Sequence, residues 1–84
     1  MNVVQCRMAR AALDWSQQGL AKASGVSART VIRFEAGESV LPARVEKMRD
    51  AFEAQHVLFV DSGPLAGGVV PPNPPLLPSA ERGL

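Results

Sequence analysis

Residues 10–38 read RAALDWSQQGLAKASGVSARTVIRFEAGE. Ser16 stands where a helix N-cap is wanted, directly before QQGLAKAS. Leu20 and Ala21 form the apolar side of that short helix, and Gln18 and Lys22 point outward. Gly25 supplies a residue that tolerates positive φ, as a left-handed cap and turn require. Ser27 is a second N-cap, before ARTVIRFEA. Val31 and Phe34 (i, i+3) face inward there, while Arg29 and Arg33 (i, i+4) share another face. Gly37 closes this helix.

Two short helices joined by a three- or four-residue turn with Gly form a helix-turn-helix unit. Its crossing point needs a small residue, and Ala21 is there. Leu20, Val26, Val31 and Phe34 attach the pair to the rest of the domain.

Outward from this unit, residues 3–13 (VVQCRMARAAL) place Cys6, Ala9 and Leu13 on one helical face. Asp14 and Trp15 end that run, and Trp15 is expected to pack between the first two helices. Pro42 suits the first turn of a fourth helix, where its missing N–H costs nothing. Leu41, Val45, Met48 and Phe52 follow with amphipathic spacing, and the helix is expected to reach about Gln55. HVLFV (56–60) is then a short β-rich run ended by Asp61, Ser62, Gly63 and Pro64. Such a strand needs a partner for its backbone groups. With none visible in the chain, Val57, Leu58, Phe59 and Val60 are expected to pair with their copies across the two-fold axis of a homodimer.

Residues 63–84 hold six of the seven Pro and four of the seven Gly. A segment of that composition buries too little apolar surface to offset the entropy of ordering it. The expected organisation is a folded unit at 1–62 and a disordered Pro/Gly-rich tail at 63–84. The tail has PxxP spacings at Pro71–Pro74, Pro72–Pro75 and Pro75–Pro78. The fold class expected is all-α: a small four-helix bundle containing the helix-turn-helix, then a short strand and the tail. A core this small is marginal alone, and a second subunit is the usual support.

The 84-residue chain carries a net charge of +1, which hides an asymmetry. Met1–Phe34 carries Arg7, Arg10, Lys22, Arg29 and Arg33 against Asp14, a net +4, and the remainder is −3. A basic face on a small domain fits a polyanionic ligand. One Cys (Cys6) and one His (His56) exclude an intrachain disulfide and form no metal-ligand cluster. Cys6 reads as a small core residue, and His56 as a loop or strand-edge residue. No catalytic constellation or phosphate-cradling Gly loop is present, so no enzyme, metal or cofactor is expected. No run of about 18 apolar residues predicts a membrane helix. The start MNVVQCRMAR lacks the pattern of a secretory leader. The expectation is a soluble cytoplasmic domain.

Arg10–Glu38 resembles the core motif of the Cro and phage-repressor type of helix-turn-helix regulator, the xenobiotic-response-element (XRE) family, and the resemblance extends over about residues 5–60. It implies a compact helical bundle whose third helix enters the DNA major groove. It also implies symmetric dimers on palindromic operators in bacteria, phages and mobile elements. Carried over by position, Gln17 matches a phosphate-contacting residue at a helix N-terminus, with Gln18 beside it. Ser27, Ala28 and Arg29 match the exposed start of the recognition helix 27–35, and Arg33 lies one turn later. Arg offers bidentate contacts to guanine, and Ala28 offers a methyl for thymine. Thr30 matches a phosphate contact. Arg10 and Glu35 match a buried ion pair. The chain departs from the pattern at Gly19, where a helix former is usual, at Glu38, which sets a negative charge near the DNA backbone, and in a β-rich run where a fifth helix is usual.

The function expected is a dimeric repressor that binds double-stranded DNA at an inverted repeat. The alternative is a helix-turn-helix interaction module, an antiactivator or antitoxin, that binds a protein partner through its C-terminal half.

Overall fold

The computed structural model describes residues 1–72. Helices α1 (Val3–Leu13), α2 (Gln17–Ser24), α3 (Ala28–Glu35) and α4 (Pro42–Glu53) are followed by strands β1 (Leu58–Phe59) and β2 (Val69–Val70). The PxxP spacings run past Pro72, so the tail they define lies outside the described residues.

Helices α1, α2 and α3 begin where a side chain satisfies one of the first free N–H groups. Asn2 and Gln5 exchange side-chain and backbone bonds in a capping box at the start of α1. Ser16 accepts from the Gly19 N–H, and Ser27 from the Thr30 N–H. Pro42 opens α4 without a side-chain cap. Gly25 and Gly37 turn the chain with φ of 78° and 84° after α2 and α3. Asp14 ends α1 in the left-handed region, at φ 55°. A Cβ on Gly19 would lie 3.3 Å from the capping oxygen of Ser16, so the small residue keeps that cap uncrowded. Helix α4 stops at Glu53, short of Gln55, and the turn that follows carries His56 at φ 66°.

The core lies where α1, α2, α3 and α4 meet. Cys6, Ala9, Leu13, Leu20, Val31, Met48, Phe52 and Val57 are all buried there. Phe34 and Val45 pack on its margin, and Leu41 stands exposed at the mouth of α4. Trp15, in the corner between α1 and α2, stacks on Phe52 of α4, with ring centroids 5.6 Å apart. Phe59 also meets Phe52, edge-on at 6.0 Å. An aromatic column thus ties the α1–α2 corner, α4 and the strand together.

The β-rich run finds its partner inside the chain. Leu58 pairs with Val70 and Phe59 with Val69, antiparallel. This corrects the expectation of pairing across a dimer axis, which rested on the lack of a second strand. The partner lies within 63–72, a stretch that composition assigned to the tail. Two glycines, Gly63 and Gly67, take φ of 84° and 89° in the connection, and Val60 and Gly67–Gly68 exchange backbone bonds at 2.8 and 3.0 Å. The four residues expected at a dimer interface differ in exposure. Val57 is fully buried and Phe59 is turned to Phe52, while Val60 is half-buried and Leu58 is exposed.

The strand pair is held to the helices at two further points. Gln5 of α1 donates to the carbonyls of Val60 and Gly68, at 3.4 and 3.2 Å. Arg49 of α4 lies over the Phe59 ring at 5.1 Å and pairs with Asp61 at 3.0 Å. Among the described residues, no helix is long and apolar enough to cross a membrane and no cluster is placed to hold a metal ion.

Candidate nucleic-acid interface

Helix α3 turns Val31 and Glu35 inward and Thr30 into contact with its own cap. The same rotation leaves Arg29, Ile32 and Arg33 on the outer face, because positions three and four apart share one side of a helix. Ser27 is exposed at the leading end, and Ala28 is half-buried beside it.

The candidate contact residues thus divide by geometry. Gln18, Ser27, Arg29 and Arg33 are exposed. Thr30 is 7% exposed, and its hydroxyl lies 2.9 Å from the Ser27 hydroxyl. Its structural part is thus to complete the cap of α3. Gln17 is half-buried and donates its amide N–H to Glu35 at 3.1 Å. Its second N–H and its carbonyl stay available at the start of α2.

Glu35 is the hub behind this face. Arg10 Nε and Nη2 donate to its two oxygens, each at 2.7 Å, as a bidentate pair. Arg10 Nη1 also reaches the Trp15 carbonyl, at 3.0 Å, and so fixes the corner between α1 and α2. Arg7 donates to the Glu35 backbone carbonyl at 2.7 Å, at the C-terminus of α3 where a cation is favoured. Burial by itself pushes the Glu35 carboxyl up, but hydrogen bonds from Arg10, Cys6 and Gln17 outweigh it and hold it below its ordinary value. Arg7 and Arg10 are therefore engaged with α3, which leaves Arg29 and Arg33 as the basic groups of its outer face.

The Cys6 thiol donates to Glu35 at 3.2 Å inside the core. Burial, the bond to Glu35 and the Glu35 charge push its pKa up to about 12. The thiolate is the reactive form. Alkylation of the native protein at pH 8 should therefore run about a thousandfold slower than that of an exposed cysteine. Timed mass spectrometry with iodoacetamide, with and without urea, measures this; equal rates in the two conditions would overturn the assignment.

Two residues of this face escaped the sequence reading. Ile32 is 49% exposed, and the sequence reading gave it no role. The wheel gives the missing signal, since Ile32 lies three residues after Arg29 and so shares its outer face. Arg44 lines a cleft with Thr30, Arg33, Ser39, Val40 and Leu41. Its signal is a cation in the first turn of α4, where the helix dipole disfavours one.

A helix-turn-helix family model matches residues 7–57. The chain belongs to the Cro/C1-type helix-turn-helix family. No curated protein matches the chain significantly. This XRE-type helix-turn-helix domain is thereby a DNA-binding transcription regulator. The match takes in α1 from Arg7 onward, all of α2, α3 and α4 and the turn at Gly25, and it ends at Val57, so the strand pair stands outside it.

Proposed function

We propose that the helix-turn-helix domain is a dimeric repressor that reads an inverted-repeat operator with α3 in the major groove. The observation that carries this reading is the outer face of α3. Arg29, Ile32 and Arg33 stand exposed on a helix whose other side is locked by Val31 and by the Glu35 hub. Arg29 and Arg33 have the donor geometry for guanine edges, and Ile32 and Ala28 offer methyl groups for thymine. Gln17 and Gln18, at the start of α2, meet the phosphate backbone, with the helix dipole supporting Gln17. Ser27 and Thr30 serve α3 first as its cap, and Ser27 adds an exposed hydroxyl toward the backbone. Arg44 extends the phosphate path from α4.

The dimer rests on side chains rather than strand pairing. Leu58 and Val70 lie opposite each other in the sheet, 61% and 44% exposed. Directly opposed residues share a face, so they form one apolar spot for a second copy. The family resemblance supports cytoplasmic residence and a setting in a phage or other mobile element as parts of this proposal. The competing reading, an interaction module that docks another regulator, draws on the same Leu58–Val70 spot.

Fluorescence anisotropy with DNA from upstream of the protein's own coding sequence, repeated at rising salt, separates the two. Sequence-dependent binding with a steep salt slope supports the repressor, and no binding at low salt supports the interaction module. Arg29→Ala is expected to weaken specific binding by about 1–3 kcal/mol and to relax specificity at its base pair. Equal affinity of wild type and variant for specific and random duplexes would count against the reading.

A further inference from the structure

Arg33 and Glu38 face each other across the turn that closes α3. The Glu38 N–H donates to the Arg33 carbonyl at 3.0 Å, and the Gly37 N–H to the Phe34 carbonyl at 3.0 Å. This is the two-bond helix ending that needs a left-handed residue, and Gly37 supplies it at φ 84°. The backbone therefore holds Glu38 beside Arg33 independently of either side chain. On that frame, Glu38 Oε1 accepts from Arg33 Nε at 3.3 Å. The two side chains are 49% and 54% exposed.

Which nitrogen is engaged matters. A carboxylate at Nε occupies the stem side of the guanidinium and leaves Nη1 and Nη2 as a free fork at its tip. Guanine presents O6 and N7 in the major groove, and two parallel N–H donors match them. An exposed ion pair of this kind adds little to stability, but it restricts the rotamers of a long side chain. Exclusion of water by DNA would strengthen the pair.

We propose that Glu38 is a positioning residue for base reading: it holds Arg33 by Nε so that the Nη fork meets guanine. The proposal rests on the DNA-reading role of α3. Glu38 exerts a second, opposite effect, because its charge near the phosphate path weakens sequence-independent binding. Glu38 thus exchanges general affinity for discrimination.

The test compares wild type, Glu38→Gln and Arg33→Ala as full chains. Selection from a randomised duplex library gives the preferred site, and Arg33→Ala marks the base pair whose preference Arg33 sets. Anisotropy then measures Kd for the site, for its guanine-to-adenine variant at that pair, and for random duplex. Glu38→Gln is expected to bind random duplex more tightly and to lose at least about fivefold of guanine-over-adenine discrimination, the low end for a bidentate contact. Its Tm should match wild type, since both groups are exposed. Tighter binding with unchanged discrimination would overturn the proposal and leave Glu38 as simple repulsion. Weaker binding to every duplex together with a lowered Tm would overturn it in favour of a structural role. A wild type that selects no sequence overturns the DNA reading itself, and this inference with it.

Discussion

Arg10→Ala is expected to leave most of the domain unfolded at 37 °C. Glu35 is 3% exposed, and Arg10 supplies both charge-assisted bonds to its carboxylate. Removing one partner of such a pair strands a buried charge, at about 3–5 kcal/mol. A single core below roughly 70–80 residues rarely supplies more than that in total. The pH dependence identifies the cause. In wild type the Glu35 pKa is lowered, so its contribution is complete above the unfolded value of about 4.3 and fades as pH falls through the folded value. In the variant, burial is left to push the carboxyl up, and protonation relieves the stranded charge. The stability gap between the two proteins should therefore narrow on acidification. Urea unfolding followed by circular dichroism at pH 7 and pH 4 measures it. A gap under about 1 kcal/mol at pH 7, or one that stays constant, would show that the pair does not bear on the fold in this way.

Phe52→Ala is the second large effect. Phe52 is fully buried between Trp15, stacked at 5.6 Å, and Phe59, edge-on at 6.0 Å. Truncation of a buried Phe costs about 3–5 kcal/mol, with a cavity that neighbours fill only in part. The loss would reach both the α1–α2 corner and the strand pair, because each leans on the same ring. Trp15 is the single Trp of the chain, so its fluorescence reports the first of these directly. Thermal melts read by Trp15 emission and by far-UV circular dichroism should both shift down. Leu41→Ala, at a site 63% exposed, should change stability by no more than about 0.5 kcal/mol. Comparable shifts for Phe52→Ala and Leu41→Ala would overturn this account of the core.

The helix-turn-helix was legible because its determinants are local. Ser16 and Ser27 cap the helices they precede, Gly25 and Gly37 take positive φ, and Leu20, Ala21 and Val31 fill the crossing. Each follows from one residue type at one spacing. What stayed hidden depended on distant parts of the chain. Val69–Val70 is only two residues long, between glycines and prolines, so composition pointed to a tail. Only the meeting with Leu58–Phe59 makes it a strand. The site shows the same divide. Exposure of Arg29 and Arg33 follows from helical period, whereas the turn of Gln17 toward Glu35 depends on how α2 and α3 cross. Burial of Thr30 could have been inferred, since its hydroxyl stands three residues after a capping serine.

Gln5 sits in the first turn of α1 yet bonds carbonyls 55 and 63 residues further along the chain. Closing so long a loop is entropically unfavourable, and contacts of that separation are gained late in folding. The strand pair is therefore expected to dock after the four helices have assembled. By the same logic it is expected to be the first part to separate from them when the native state opens locally, which amide hydrogen exchange across the strand pair would measure. The capping box that shapes Gln5 thus gives one side chain two duties, starting the first helix and latching the last strands in place.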